Sequence, residues 1–62
     1  MVVKIGDRIR IDIFNHKHKK TTTGRVIKEY EHHFLLKNKN YRFSLNKIDL
    51  ISPVDMIIRK LN

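Results

Sequence analysis

Two pairs of histidines, His16-x-His18 and His32-His33, have the widest chemical range in this sequence, since imidazole binds metals and moves protons near neutral pH. Their placement argues against one shared site. They fall at opposite ends of an expected strand, where eight or so residues at about 3.3 Å each put more than about 20 Å between them. Neither pair has the ligand spacing of a structural zinc site, even with Glu31 or Asp12 added, so no metal or other cofactor is expected. The histidines instead add positive charge in acid. Catalysis has no better footing. No nucleophile stands beside a base in an interpretable context, there is no glycine-rich phosphate loop, and Asp12 and Glu29 are scattered along strands as charge balance. No enzyme is expected.

The chemistry present in quantity is cationic. Fourteen Lys and Arg oppose six Asp and Glu, a formal charge of +8 on 62 residues. Such an excess on so small a body favours polyanions. The cations fall into groups. Lys17, Lys19 and Lys20, with His16 and His18, occupy a polar run that can follow a phosphate backbone, and Thr21, Thr22 and Thr23 after it offer hydroxyls. Arg8 and Arg10 lie on the outward face of the first strand. Lys37, Lys39 and Arg42 surround a later turn, with Arg25 and Lys28 between. Arginine suits such a surface because its planar fork bonds phosphate bidentately. Base stacking needs exposed aromatics, and Tyr41, beside the basic turn, is the candidate, with core packing as its alternative role.

The elements that must position these groups are short. Arg8-Ile9-Arg10-Ile11-Asp12-Ile13 alternates without a fault, which predicts a half-buried strand with Ile9, Ile11 and Ile13 inward and Arg8, Arg10 and Asp12 outward. The ten residues from Asn15 to Gly24 carry no apolar side chain and read as an exposed loop. Arg25 to Glu31 is a second strand, and the adjacent Val26 and Ile27 call for a bend or bulge. His32-His33 connects to a third strand at Phe34 to Lys37. Lys37-Asn38-Lys39-Asn40 is a polar hairpin turn. Tyr41-Arg42-Phe43-Ser44 is a fourth strand with Tyr41 and Phe43 facing the core, alongside Phe14 and Phe34. Leu45-Asn46-Lys47 reads as one helical turn and Ile48-Asp49-Leu50-Ile51 as a closing strand. Ser52-Pro53-Val54-Asp55 has a helix-start pattern, and Val54, Ile57, Ile58 and Leu61 share helical spacing, so residues 53–61 are expected as a capping helix. Their β-branched content leaves a strand as the alternative.

One domain over residues 1–62 is expected, with a barrel at 4–51. A chain this short buries only about 60% of the surface it exposes when unfolded, and without cysteine no disulfide supplements the core. No apolar run approaches the roughly 20 residues of a membrane span, and no secretory signal is present, so the expected location is the cytoplasm.

Five short strands, a long polar link between the first two and a single turn before the last resemble the small β-barrel of Src-homology-3-like topology. Gly6-Asp7-Arg8-Ile9-Arg10-Ile11, with Gly24-Arg25-Val26-Ile27-Lys28 later, is similar to the opening of KOW-type barrels of ribosomal proteins and transcription elongation factors. The resemblance implies an all-β, five-stranded antiparallel barrel; such barrels bind RNA, DNA, peptides or each other. The expectation is therefore a non-catalytic module that binds DNA or RNA through phosphate contacts. The alternative is a protein-interaction module gripping an acidic partner, as an accessory protein of a phage or mobile element would.

Overall fold

Four strands follow one another as an antiparallel meander: β1 (Arg8–Phe14), β2 (Lys19–Glu29), β3 (His33–Lys37) and β4 (Arg42–Asn46). A five-residue helix, α1 (Lys47–Ile51), carries the chain away from β4, and β5 (Met56–Lys60) returns antiparallel to the free side of β1. The computed structural model describes every residue except His16 and Asn62. The sheet order is β4-β3-β2-β1-β5, so the fold is all-β with one short helix. The sheet does not close into the expected barrel: β4 and β5 are its two edges and are not hydrogen-bonded neighbours. Closure needs the two edge strands to pair, with a tilt and stagger shared by every strand, and β4 and β5 do not pair.

Alternation within the strands separates the two faces. Ile9 and Ile11 of β1, Val26 of β2, Phe34 and Leu36 of β3 and Leu45 of β4 are buried on one face, joined by Val3 from the N-terminal segment. Phe43, Leu50 of α1 and Ile58 of β5 pack against this core. The bulge expected at Val26 and Ile27 is present, as a register shift between Val26 and Lys28. Before it Val26 is opposite Leu36; after it Lys28 is opposite Leu35 and Glu29 opposite Phe34, so the pairing slips by one residue of β2. Gly24 sits inside β2 because nothing larger fits: a Cβ there would lie 2.8 Å from two ring carbons of Phe43 and 3.3 Å from Leu36 Cβ. The Phe43 ring covers the gap that the glycine leaves in the sheet.

Two segments depart from expectation. The polar run after Phe14 is not a loop but the distal half of a hairpin, with Phe14 opposite Lys19 and Asp12 opposite Thr21. Asn15 makes the turn: its side-chain oxygen accepts from the His18 and Lys17 backbone N–H groups at 2.8 and 3.2 Å, and its N–H donates to the His18 carbonyl at 3.0 Å. Three β-branched threonines then favour an extended chain, and the middle one, Thr22, is buried opposite Ile11. Ile13 and Phe14, expected in the core, are exposed at the arm.

The C-terminal order is also reversed. Ile48 to Ile51 lies in α1 rather than in a closing strand, and residues 56–60 form β5 where a capping helix was expected. The barrel boundary at residue 51 moves with it. Beta-branched Ile57 and Ile58 suit a strand, and a helix of fewer than a dozen residues is marginal alone. The exposed backbone edge of β1 offers hydrogen bonds that a helix would leave unmade. Phe14 N–H donates to the Asp55 carbonyl at 2.8 Å and Leu61 N–H to the Arg8 carbonyl at 2.8 Å, fastening both ends of β5. Asp55 turns the chain into β5 with φ of 55°, a conformation that Asp tolerates better than most residues. In a strand, Ile57 and Ile58 point to opposite faces, so the apolar stripe expected of Val54, Ile57, Ile58 and Leu61 does not form.

Candidate nucleic-acid interface

The face opposite the core carries a line of cations, and strand register sets their arrangement. Arg8 pairs with Arg25, Arg25 with Lys37, and Lys37 with Arg42. Residues directly opposite one another in antiparallel strands share a face, so these four side chains form one straight row across β1, β2, β3 and β4. All four are exposed, while their sequence neighbours Ile9, Val26 and Leu36 are buried beneath. At about 4.8 Å between strands, the row is about 14 Å long. Arg10 stands two residues further along β1, opposite Arg59 of β5, and continues the row to the fifth strand.

Turns at each end hold this row in register. At one end Gly6, with φ of 96°, allows the reversal before β1. Gly6 N–H donates to the Val26 carbonyl at 2.8 Å, Val26 N–H to the Asp7 carbonyl at 2.9 Å, and Lys4 N–H to Asp7 Oδ2 at 2.8 Å. The Arg25 guanidinium donates to the Gly6 carbonyl at 3.2 Å, which steadies one member of the row. At the other end Asn38 builds the β3–β4 turn. Its side-chain oxygen accepts from the Asn40 and Tyr41 N–H groups, both at 2.9 Å, and its Nδ2 donates to the Thr23 carbonyl at 3.1 Å. Lys39 is exposed at the tip of that turn, beside the Lys37–Arg42 pair.

One carboxylate has its register on the cationic face. Asp12 was expected outside as simple charge balance, yet it is only 3% exposed, between Thr21 of β2 and Ile57 of β5. Its Oδ1 accepts from the Thr21 hydroxyl at 2.6 Å and from Arg10 Nε at 3.3 Å. The Thr21 hydrogen bond and then Arg10 hold its carboxyl below the usual aspartate range, against the opposing effect of burial. Arg10 is thereby pinned. Other acidic groups are engaged elsewhere: Asp7 with Lys60 at 3.2 Å, and Glu29 with Lys47 at 2.7 Å.

Not all the expected contact residues come together. Arg8, Arg10, Arg25, Lys37 and Arg42 share the row, and Lys39 adjoins it. Lys17, Lys19 and Lys20 do not: six residues of β1 at about 3.4 Å each place the hairpin tip about 20 Å from Arg8. Lys19 faces outward, its Nζ 5.8 Å from the centre of the Phe14 ring, whereas Lys20 pairs with Ile13 on the inner face. His16, named with this group, lies outside the described residues. The threonines divide likewise, since Thr22 is buried on the inner face and Thr21 is bonded to Asp12. Tyr41 is 46% exposed but lies on the inner side, 5.8 Å from the Phe43 ring. Hydrogen bonds with the Thr22 and then the Asn38 side chains lower its pKa from the ordinary tyrosine value. Tyr41 thus belongs to the opposite side of the sheet from Arg42. Sequence reasoning missed Arg59, whose role as a row member requires β5 to be a strand. Among the described residues no three His, Asp or Glu side chains converge as a metal site would require, and no helix is long and apolar enough to cross a membrane.

These features define a small all-β protein with a cationic outer face. No protein-family model, curated protein or solved structure matches the chain.

Proposed function

We propose that the protein is a non-catalytic nucleic-acid-binding module whose outer sheet face grips the phosphate backbone. The observation that supports this most is the direct opposition of Arg8, Arg25, Lys37 and Arg42 across four strands. Like charges directly opposite one another destabilise a sheet. Their pitch of about 4.8 Å is shorter than the Debye length of about 8 Å at physiological ionic strength, so salt alone leaves the repulsion largely unscreened. A phosphate chain laid along the row neutralises it and releases counterions, which makes binding favourable and salt-dependent. Lys39 and Arg59 extend the contact, and Lys17, Lys19 and Lys20 on the arm supply a second, separate basic point. A Src-homology-3-like topology with a KOW-like opening, with which the strand order is compatible, and a cytoplasmic setting are further parts of this proposal.

The protein-interaction alternative draws on a different surface. Ile48 and Ile51 of α1 and Val54 beyond it are strongly exposed, and apolar side chains gathered in one segment favour a protein partner. Nucleic-acid titration at two salt concentrations separates the readings. The expected result is binding that weakens steeply with salt and is lost in a Lys37→Glu/Arg42→Glu variant, with a smaller loss in Lys19→Glu/Lys20→Glu. Failure to bind any nucleic acid at low salt would remove the proposal and leave the apolar segment as the lead.

A further inference from the structure

The cationic row has a geometry that discriminates between forms of nucleic acid. Its members sit on hydrogen-bonded strands, so the spacing of their backbone positions is fixed, although the charged ends of the long side chains can shift. Over the row's length of about 14 Å, a duplex presents about eight phosphate charges, at one per about 1.7 Å of axis, and a single strand about half as many. A line of cations anchored in register gains most from a partner of high charge density. A flexible strand must in addition lose conformational freedom to align with it.

Single strands usually recover that cost by stacking bases on exposed rings, at about 1–3 kcal/mol per base. The rings on this face are few, lie off the row and are partly covered, although Tyr30 and Phe14 keep 40% and 37% of their surface exposed. Tyr30 stacks on His33 with centres 4.7 Å apart, and Lys28 Nζ lies 5.3 Å from the Tyr30 ring centre. Phe14, at the far end of the face, carries Lys19 at 5.8 Å. Tyr41, next to Arg42 in sequence, lies on the inner side against Phe43. The groups next to the row are not aromatic: Thr23 is opposite Arg10, and Lys28 is opposite Leu35, itself opposite Ser44.

We infer that the row takes double-stranded nucleic acid, lying across paired sugar–phosphate backbones without reading base edges, in preference to single strands. This inference rests on the nucleic-acid reading above. The chemistry it uses is common to duplex DNA and duplex RNA. Sequence readout plays no part in it, because phosphate contacts orient the partner but carry no base information.

The test uses the full chain and four labelled probes of one sequence: duplex DNA, duplex RNA and the corresponding single strands, titrated by fluorescence anisotropy at low and moderate salt. At least one duplex is expected to bind about tenfold or more tighter than its own strands. Its log K should fall with log salt with a slope near −4, as for four to five neutralised phosphates. Scrambling the duplex sequence should leave affinity unchanged. Lys37→Glu should weaken duplex binding and flatten the slope by about 1 or more, and Lys37→Gln, the gentler change, should do so by about 1. Circular dichroism of both variants checks that the sheet persists. Single strands binding as tightly as duplexes would overturn the duplex inference while leaving the phosphate-binding surface intact. No binding by any probe at low salt would remove both. A difference between the two duplexes identifies the natural source.

Discussion

On one side of the sheet Ile9, Val26 and Leu36 are enclosed; on the other their immediate neighbours Arg8, Arg25 and Lys37 stand exposed in line. The same backbone hydrogen bonds hold both sets, so each ladder that assembles the core also brings like charges together. The apolar face must offset the repulsion of the cationic one. A chain of 62 residues has a net stability of only about 3–9 kcal/mol at 0.05–0.15 kcal/mol per residue, so that balance is close. The contrast teaches that the cationic row is maintained at a cost to the free protein. A surface arranged for solubility alone would intersperse charges of both signs.

The sharpest way to break this balance is from the core side. Leu36→Ala removes a fully buried side chain between Val26 and Phe43, and a loss of about 2–5 kcal/mol is expected, a large share of the total. Urea denaturation should therefore show a largely unfolded chain, and the cationic face should lose its affinity along with its sheet. Gly24→Ala tests the packing beneath the row more gently. Its methyl group must displace the Phe43 ring, at a cost of about 1–3 kcal/mol typical of overpacking. Combining it with Phe43→Leu, which withdraws the ring atoms, should return part of that loss. Additive losses in the thermal melts of the two single and the double variant would show that the contact is not the cause.

Acid tests the few carboxylates set against the cations. The Lys4 backbone N–H first, and Lys60 as well, hold Asp7 below its usual pKa, and Asp12 is lowered by Thr21 and Arg10. Because both folded-state values are depressed, the unfolded chain binds more protons, and stability rises with pH through this window. The contribution is fully present above the unfolded value of about 3.9 and is lost as pH falls through the lower folded values. Melting temperatures should accordingly drop between pH 5 and pH 2, less so in Asp12→Asn, which has already lost one titrating group.

The smallest effect is the most diagnostic. Lys37 lies between Arg25 and Arg42, so Lys37→Glu converts two like-charge oppositions into two attractions. The free protein should gain about 0.2–1 kcal/mol, an effect that shrinks with added salt. The same change should weaken nucleic-acid binding. A variant that is more stable but binds less well would sharpen the contrast between the two faces; one that is merely destabilised would break it.

Much of this was legible in the residues. The faultless alternation of β1, the bulge after Val26, the Asn38 turn and the all-β class follow from local signals with a period of two or from turn chemistry. The hairpin arm was not legible, because its polar residues give no burial signal and its strand pairing comes from Asn15 and the threonines. The C-terminal exchange of helix and strand was hidden for a different reason. A capping pattern at Ser52 to Asp55 is a local preference, and the open edge of β1 that overrides it is a distant partner.

The sequence by itself determined that Arg8 and Arg10 stand away from the core and that cations greatly outnumber anions. It did not determine that Arg8, Arg25, Lys37 and Arg42 fall in one row, that Arg59 joins them, or that Lys20 faces the other way. Which side chains share a face within one strand depends on the pleat, a property of neighbouring residues. Which residue stands opposite which depends on register, fixed by turns and by pairing between segments far apart in the chain. Only the folded sheet decided that.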